Sequence, residues 1–163
     1  MKNLSISRTL TTAIPMMVVC VVLALGASAV AQEPIQGSWI FILTPGPGGP
    51  APFSAVASFA AGGVFVATGE DDRVNSVSEL HGSWKRIAGN RYGSTTYMFA
   101  FDPTGYAVGL LKTNQVFQLT SRNELVGIAN LSSCDLHGKN CMPLPGISTV
   151  AGKRMIVEDF PTP

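Results

Sequence analysis

A repeated tripeptide followed by a repeated hairpin constrains this chain most. Gly37-Ser38-Trp39 opens one segment, and Gly82-Ser83-Trp84 opens another 45 residues later. Each copy leads into alternating strands that end at a glycine turn. The first ends at Phe59-Ala60-Ala61-Gly62-Gly63 and the second at Phe101-Asp102-Pro103-Thr104-Gly105. Alternation with period two belongs to strands with one buried face. Short turns between such strands place neighbours in sequence side by side and antiparallel.

The rest of the chain extends this pattern. Strand one is expected over Gly37 to Thr44, and the run from Pro45 to Pro50 is a loop because proline removes donors and glycine adds entropy. Strand two covers Phe53 to Phe59, strand three Val64 to Thr68 and strand four Leu80 to Ala88. Strand five, Arg91 to Asp102, puts Tyr97, Phe99 and Phe101 on one face and Tyr92, Ser94, Thr96, Met98 and Ala100 on the other. Strand six runs from Tyr106 toward Thr120, long enough to need a bend near Lys112 to Asn114; strand seven is Glu124 to Cys134. Pro143 and Pro145 delay the last strand, which is expected from Ile147 to Val157. No stretch from residue 32 onward carries a 3.6-residue apolar period. A flat meander of eight strands would expose two sticky edges. Closing the first strand on the last removes them, so the expected fold is an all-β, antiparallel, eight-stranded up-and-down barrel.

Residues 1–31 read as a secretory signal peptide. Lys2 and Arg8 precede the uncharged apolar run Ala13 to Leu25, and Ala29-Val30-Ala31 suits cleavage before Gln32. The rival reading is an uncleaved anchor, since the apolar run stretched to Ala31 reaches 19 residues. Cys20 has no lipid-attachment pattern before it. Residues 32–163 then form a single barrel domain, secreted or periplasmic. Without Lys2 and Arg8, 9 basic residues stand against 10 acidic ones. Such a balance gives no electrostatic footprint for nucleic acid. The chain is also too apolar and patterned for disorder.

Cys134 and Cys141 are the two cysteines left after cleavage, and export makes a disulfide their default. The residues between them read as a hairpin tip, which lets the two face each other. A zinc site from Cys134, Cys141, His137 and His81 is the sharper alternative, but it lacks a C-x-x-C pair. The acidic stretch Gly69 to Glu79 reads as a solvated loop, its adjacent carboxylates lacking calcium-loop spacing.

Gly37-Ser38-Trp39 at the head of strand one resembles the G-x-W signature of the calycins, the superfamily of lipocalins and their relatives. The resemblance implies that Trp39 plugs one barrel end and that Arg154, from the last strand, packs over its ring. Gly37, Gly82 and Trp84 join these two as structural positions. The chain also looks like small exported bacterial barrels of this build. The functional expectation is a small apolar ligand held in or at the barrel by Tyr97, Phe99, Phe101 and Phe117. A structural or protein-interaction barrel of the cell envelope with a filled core is the alternative. A cyclase resembling allene oxide cyclase is a second alternative, because its site would rely on shape. No catalytic residue, metal site or cofactor is assigned: the sequence carries no Gly-x-Ser-x-Gly elbow, P-loop or helical metal-ligand pair.

Overall fold

The structure, a computed structural model, describes residues 32–70, 72 and 76–158. The expected signal peptide and its cleavage site, Asp71 and residues 73–75 of the acidic stretch, and the tail from Asp159 lie outside the described residues. The strands are β1 (Gly37–Thr44), β2 (Phe53–Phe59), β3 (Val64–Gly69), β4 (Leu80–Ala88), β5 (Arg91–Phe101), β6 (Ala107–Leu119), β7 (Glu124–Cys134), β8 (Met142–Pro143) and β9 (Ser148–Arg154). Each long strand pairs antiparallel with the next along the chain from β1 to β7. Strand β9 lies between β7 and β1 and closes the ring. The result is a closed eight-stranded antiparallel barrel. The two-residue β8 is an addition on the outer half of β7, where Met142 and Pro143 pair with Ser133 and Ser132.

Two local features differ from the sequence reading. The irregularity in the longest hairpin falls between Ala100 and Phe101 of β5, and β6 pairs with β7 without interruption from Leu110 to Leu119. No bend is needed at Lys112 to Asn114. The last strand is shorter than expected and stops at Arg154.

The barrel has two unlike ends. At the end we call the floor lie Trp39, Phe59, Phe65, Trp84, Tyr92, Phe117 and Leu125, every one of them buried. Phe59 is the hub: its ring centroid stands 4.7 Å from Phe65, 5.3 Å from Phe117 and 5.8 Å from Trp84. The two tryptophans of the repeat play parallel parts, since Trp39 Nε1 donates to the Ile35 carbonyl at 2.9 Å and Trp84 Nε1 to that of Ala60 at 3.0 Å. Indoles are buried where their one donor finds a partner. The opposite end, the rim, carries the longer connections: 45–52, 70–79, 102–106 and 135–147. Its loops are held by carboxylates. Asp102 Oδ1 accepts from the Thr104 amide, the Thr104 hydroxyl and the Tyr106 amide. Glu70 accepts from the Ser54 amide and Asp72 from that of Gly69.

Cys134 and Cys141 are joined in a disulfide. With both thiols in that bond, zinc ligation by the pair is replaced. Between them, Asp135 accepts from the amides of His137 and Lys139 and from the Asn140 side chain. The Lys139 amide bond leads in holding this carboxyl below the usual range, with the His137 and Asn140 bonds adding to it. A carboxyl more acidic folded than unfolded lends its full stability above the unfolded value, near pH 4, and loses it as pH falls through the folded value. Asp135→Asn is therefore expected to lose less of its melting temperature than the parent between pH 5 and pH 2. Equal losses in the two proteins would show that the carboxylate does not hold the tip.

Candidate functional site

Strand alternation decides which residues face the interior. On β5 the buried positions are Tyr92, Ser94 and Thr96. Their partners on β6 are Phe117, Gln115 and Thr113, all three buried as well. Opposed residues share a face, so this set lines the barrel. Ser94 donates to Gln115 at 2.9 Å. Thr96 Oγ1 is buried with no hydrogen-bond partner. Directly opposite it stands Gly82. An added Cβ at Gly82 would lie 2.1 Å from the Thr95 carbonyl oxygen, so the β5 backbone occupies the space that a side chain would need.

Of the four aromatics expected to line a cavity, Phe117 faces inward, where it belongs to the ring cluster. Tyr97, Phe99 and Phe101 stand on the outer wall, so the expected inward quartet is corrected. Beyond Tyr92, which joins the floor rings of β1, β2, β3, β4 and β6, the face of β5 that turns in carries the small polar Ser94 and Thr96. Phe99 is 46% exposed and its ring lies 6.3 Å from that of Phe101. Leu110 pairs with Phe99 across the hairpin, and Tyr106, Val108 and Leu136 are exposed at the same end. The Cys134–Cys141 loop packs beside this wall: Gly138 adjoins the rings and methyls of Tyr97 and Leu110. Lys112 lies 5.9 Å over the Tyr97 ring.

The floor is closed by the last residue of β9 together with the leader before β1. Arg154 sits with its guanidinium carbon 4.3 Å from the centre of the Trp39 ring. Its donors reach the carbonyls of Arg122 (3.0 Å), Gln36 (2.6 Å) and Pro34. A planar fork suits this double duty of stacking and donating. Gly37 leaves room for it: with φ +122°, an added Cβ would meet Arg154 Nη1 at 2.8 Å. Ile35, in the leader before β1, is wholly buried. Glu33 pairs with Arg86 at 3.7 Å and lies 3.4 Å from the Tyr92 hydroxyl. Burial raises the Tyr92 pKa first, and the charge of Glu33 raises it further against the opposing Arg86. The buried leader was missed in the sequence reading. Its one signal was a lone large apolar residue, Ile35, in a polar stretch.

No family model matches this chain, no curated protein matches it, and no solved structure matches it. The site must be read from its own geometry. His81 and His137 are both exposed. Among the described residues no group of three or more His, Cys, Asp or Glu side chains gathers to hold a metal ion. Among them, too, no helix is long and apolar enough to cross a membrane.

Proposed function

We propose that this chain is an exported interaction barrel of calycin-like build, whose work is done by its outer wall. The observation that carries the reading is the placing of β5: three of its four rings are outside, and the floor half of the interior is filled by the chain's own aromatics. Trp39 under Arg154, close to the Gly37 turn, supports the calycin-like build. The disulfide supports export, since such bonds persist in oxidising compartments. The partner we commit to is a second copy of this chain. Phe99, Phe101, Val108, Leu110, Tyr106 and Leu136 together expose apolar surface on the order of 500 Å2, at the upper end for a typical monomer. Two such walls face to face bury roughly 1,000 Å2, enough for a weak specific contact. Exposed aromatics beside a pinned loop suit the anchor positions of such contacts.

An internal ligand remains the second reading. One observation favours it: the buried Thr96 hydroxyl has no partner, and a bound molecule would supply one. Native mass spectrometry of protein purified from its own host decides between them. The expected result is a homodimer without a retained small molecule. Phe99→Ser should raise its dissociation constant roughly thirtyfold, the loss of one anchor worth about 2 kcal/mol, with the melting temperature unchanged at dilutions where both proteins are monomeric. A monomer at micromolar concentration overturns the outer-wall reading, and a small molecule retained by it returns the function to the interior.

A further inference from the structure

Among the described residues most of the charges of this barrel are sorted by end, with Lys112 apart on the wall. Lys85, Arg86, Arg91, Arg122, Lys153 and Arg154 stand at the floor ends of their strands and turns. Glu70, Asp72, Glu79, Asp102 and Asp135 stand in the rim connections, with Lys139 among them. The near-zero net charge of the sequence conceals this separation. At the floor, two of the cations are balanced locally: Glu33 pairs with Arg86, and Glu124 lies across the β7–β9 ladder from Lys153.

A cleft of about 500 Å3 opens at this same end, beside the leader. Its walls include Gln36, Asn90, Thr120, Ser121, Arg122 and Arg154. Three of its side chains are already engaged, Ser121 by accepting at its hydroxyl from the Asn123 amide. Asn90 donates to the Leu119 carbonyl, and Arg154 spends donors on three carbonyls. Arg122 differs. It is exposed, it makes no ion pair among the described residues, and only its carbonyl is engaged, by Arg154. Both arginines line the same cleft, and the charge of Arg122, after burial, depresses the Arg154 pKa. Like charges held together without a carboxylate between them attract an anion. Glu33 also borders the cleft, but it faces Arg86 and Tyr92.

We propose that the floor cleft is an oxyanion-binding site, taking a carboxylate or phosphate group, with Arg122 as the side chain that contacts it. Arg154 contributes its field rather than its donors. The hydroxyls of Thr120 and Ser121 lie on the same turn and can add neutral hydrogen bonds. The fork of Arg122 suits the paired oxygens of either group. This site stands at the opposite end of the barrel from the wall of the preceding section, so either proposal can fail without the other.

Titration of the 15N-labelled domain at constant ionic strength tests it, first with inorganic phosphate and then with succinate. The expected result is a saturable shift of the amides of Asn90, Thr120, Ser121 and Arg122. Arg122→Gln should weaken binding about tenfold or more, and Arg122→Lys should keep part of it. Arg122 is exposed, so the melting temperature of both variants without anion should match the parent. Shifts that do not saturate, or that Arg122→Gln leaves in place, overturn the site. Equal shifts at Lys85 and Arg91 would mean screening of the whole basic end and would overturn it too.

Discussion

Trp39→Ala is expected to leave the domain at the edge of unfolding. The ring is wholly buried, and its removal deletes a large apolar volume together with the hydrogen bond to the Ile35 carbonyl. Such truncations cost about 3–5 kcal/mol, against a total of roughly 5–15 kcal/mol for a domain. The loss spreads further, because Arg154 loses the surface on which it stacks while it holds the leader. Arg154→Ala alone should cost less, about 2 kcal/mol, chiefly from charged hydrogen bonds to three carbonyls. The double variant should cost less than the sum of the two. Urea unfolding of the four proteins measures this coupling. A coupling of zero would mean that ring and guanidinium do not support each other, and the calycin-like build would lose its main support.

Gly82→Ala should be nearly as damaging, although it adds a single methyl. That methyl would lie 2.1 Å from the Thr95 oxygen and 2.6 Å from the Thr96 Cα. Both atoms are backbone, and a strand cannot swing aside as a long side chain does. The β4–β5 ladder has to part locally. Overpacking costs about 1–3 kcal/mol where side chains can shift, and a backbone clash belongs at or above the top of that range. Ser83→Ala, one residue on and exposed, should change stability by about 0.5 kcal/mol or less. Hydrogen exchange would show where the ladder opens: the amides of β4 and of Thr95 and Thr96 should lose protection in the glycine variant alone. A Gly82→Ala protein that melts with the parent would refute the close approach.

Strand order and most strand boundaries were legible because alternation and turn chemistry are local. Val64-Phe65-Val66, the Asp102-to-Gly105 turn and the Pro45-to-Pro50 loop each state their conformation within a few residues. Closure was legible at one remove, from the need to hide two edges. The inward face of β5 was not. Tyr97, Phe99 and Phe101 look like core in isolation, and only pairing corrects them. Phe117 opposes Tyr92, so it shares the interior with the even-numbered residues of β5 rather than with Tyr97. A shift of one residue reverses every side chain of a strand, and local pattern carries no sign. The floor cleft was invisible for a related reason. Arg122, Asn90 and Gln36 are far apart in sequence and meet only when the barrel closes.

The buried leader sets an order of events. On the proposal that processing occurs after Ala31, the scissile bond stands beside residues that the finished barrel claims for itself. Ile35 is interior, Gln36 is turned back on Glu33 by a 2.9 Å hydrogen bond, and Arg154 grips the carbonyls on either side of Ile35. Proteases act on exposed, pliant segments. In a precursor that completed its fold first, Gln32 would stay exposed while the residues just after it were tethered, and a tethered segment is the poorer substrate. On that proposal, maturation and folding compete for the same few residues, and release is expected to precede closure of the floor.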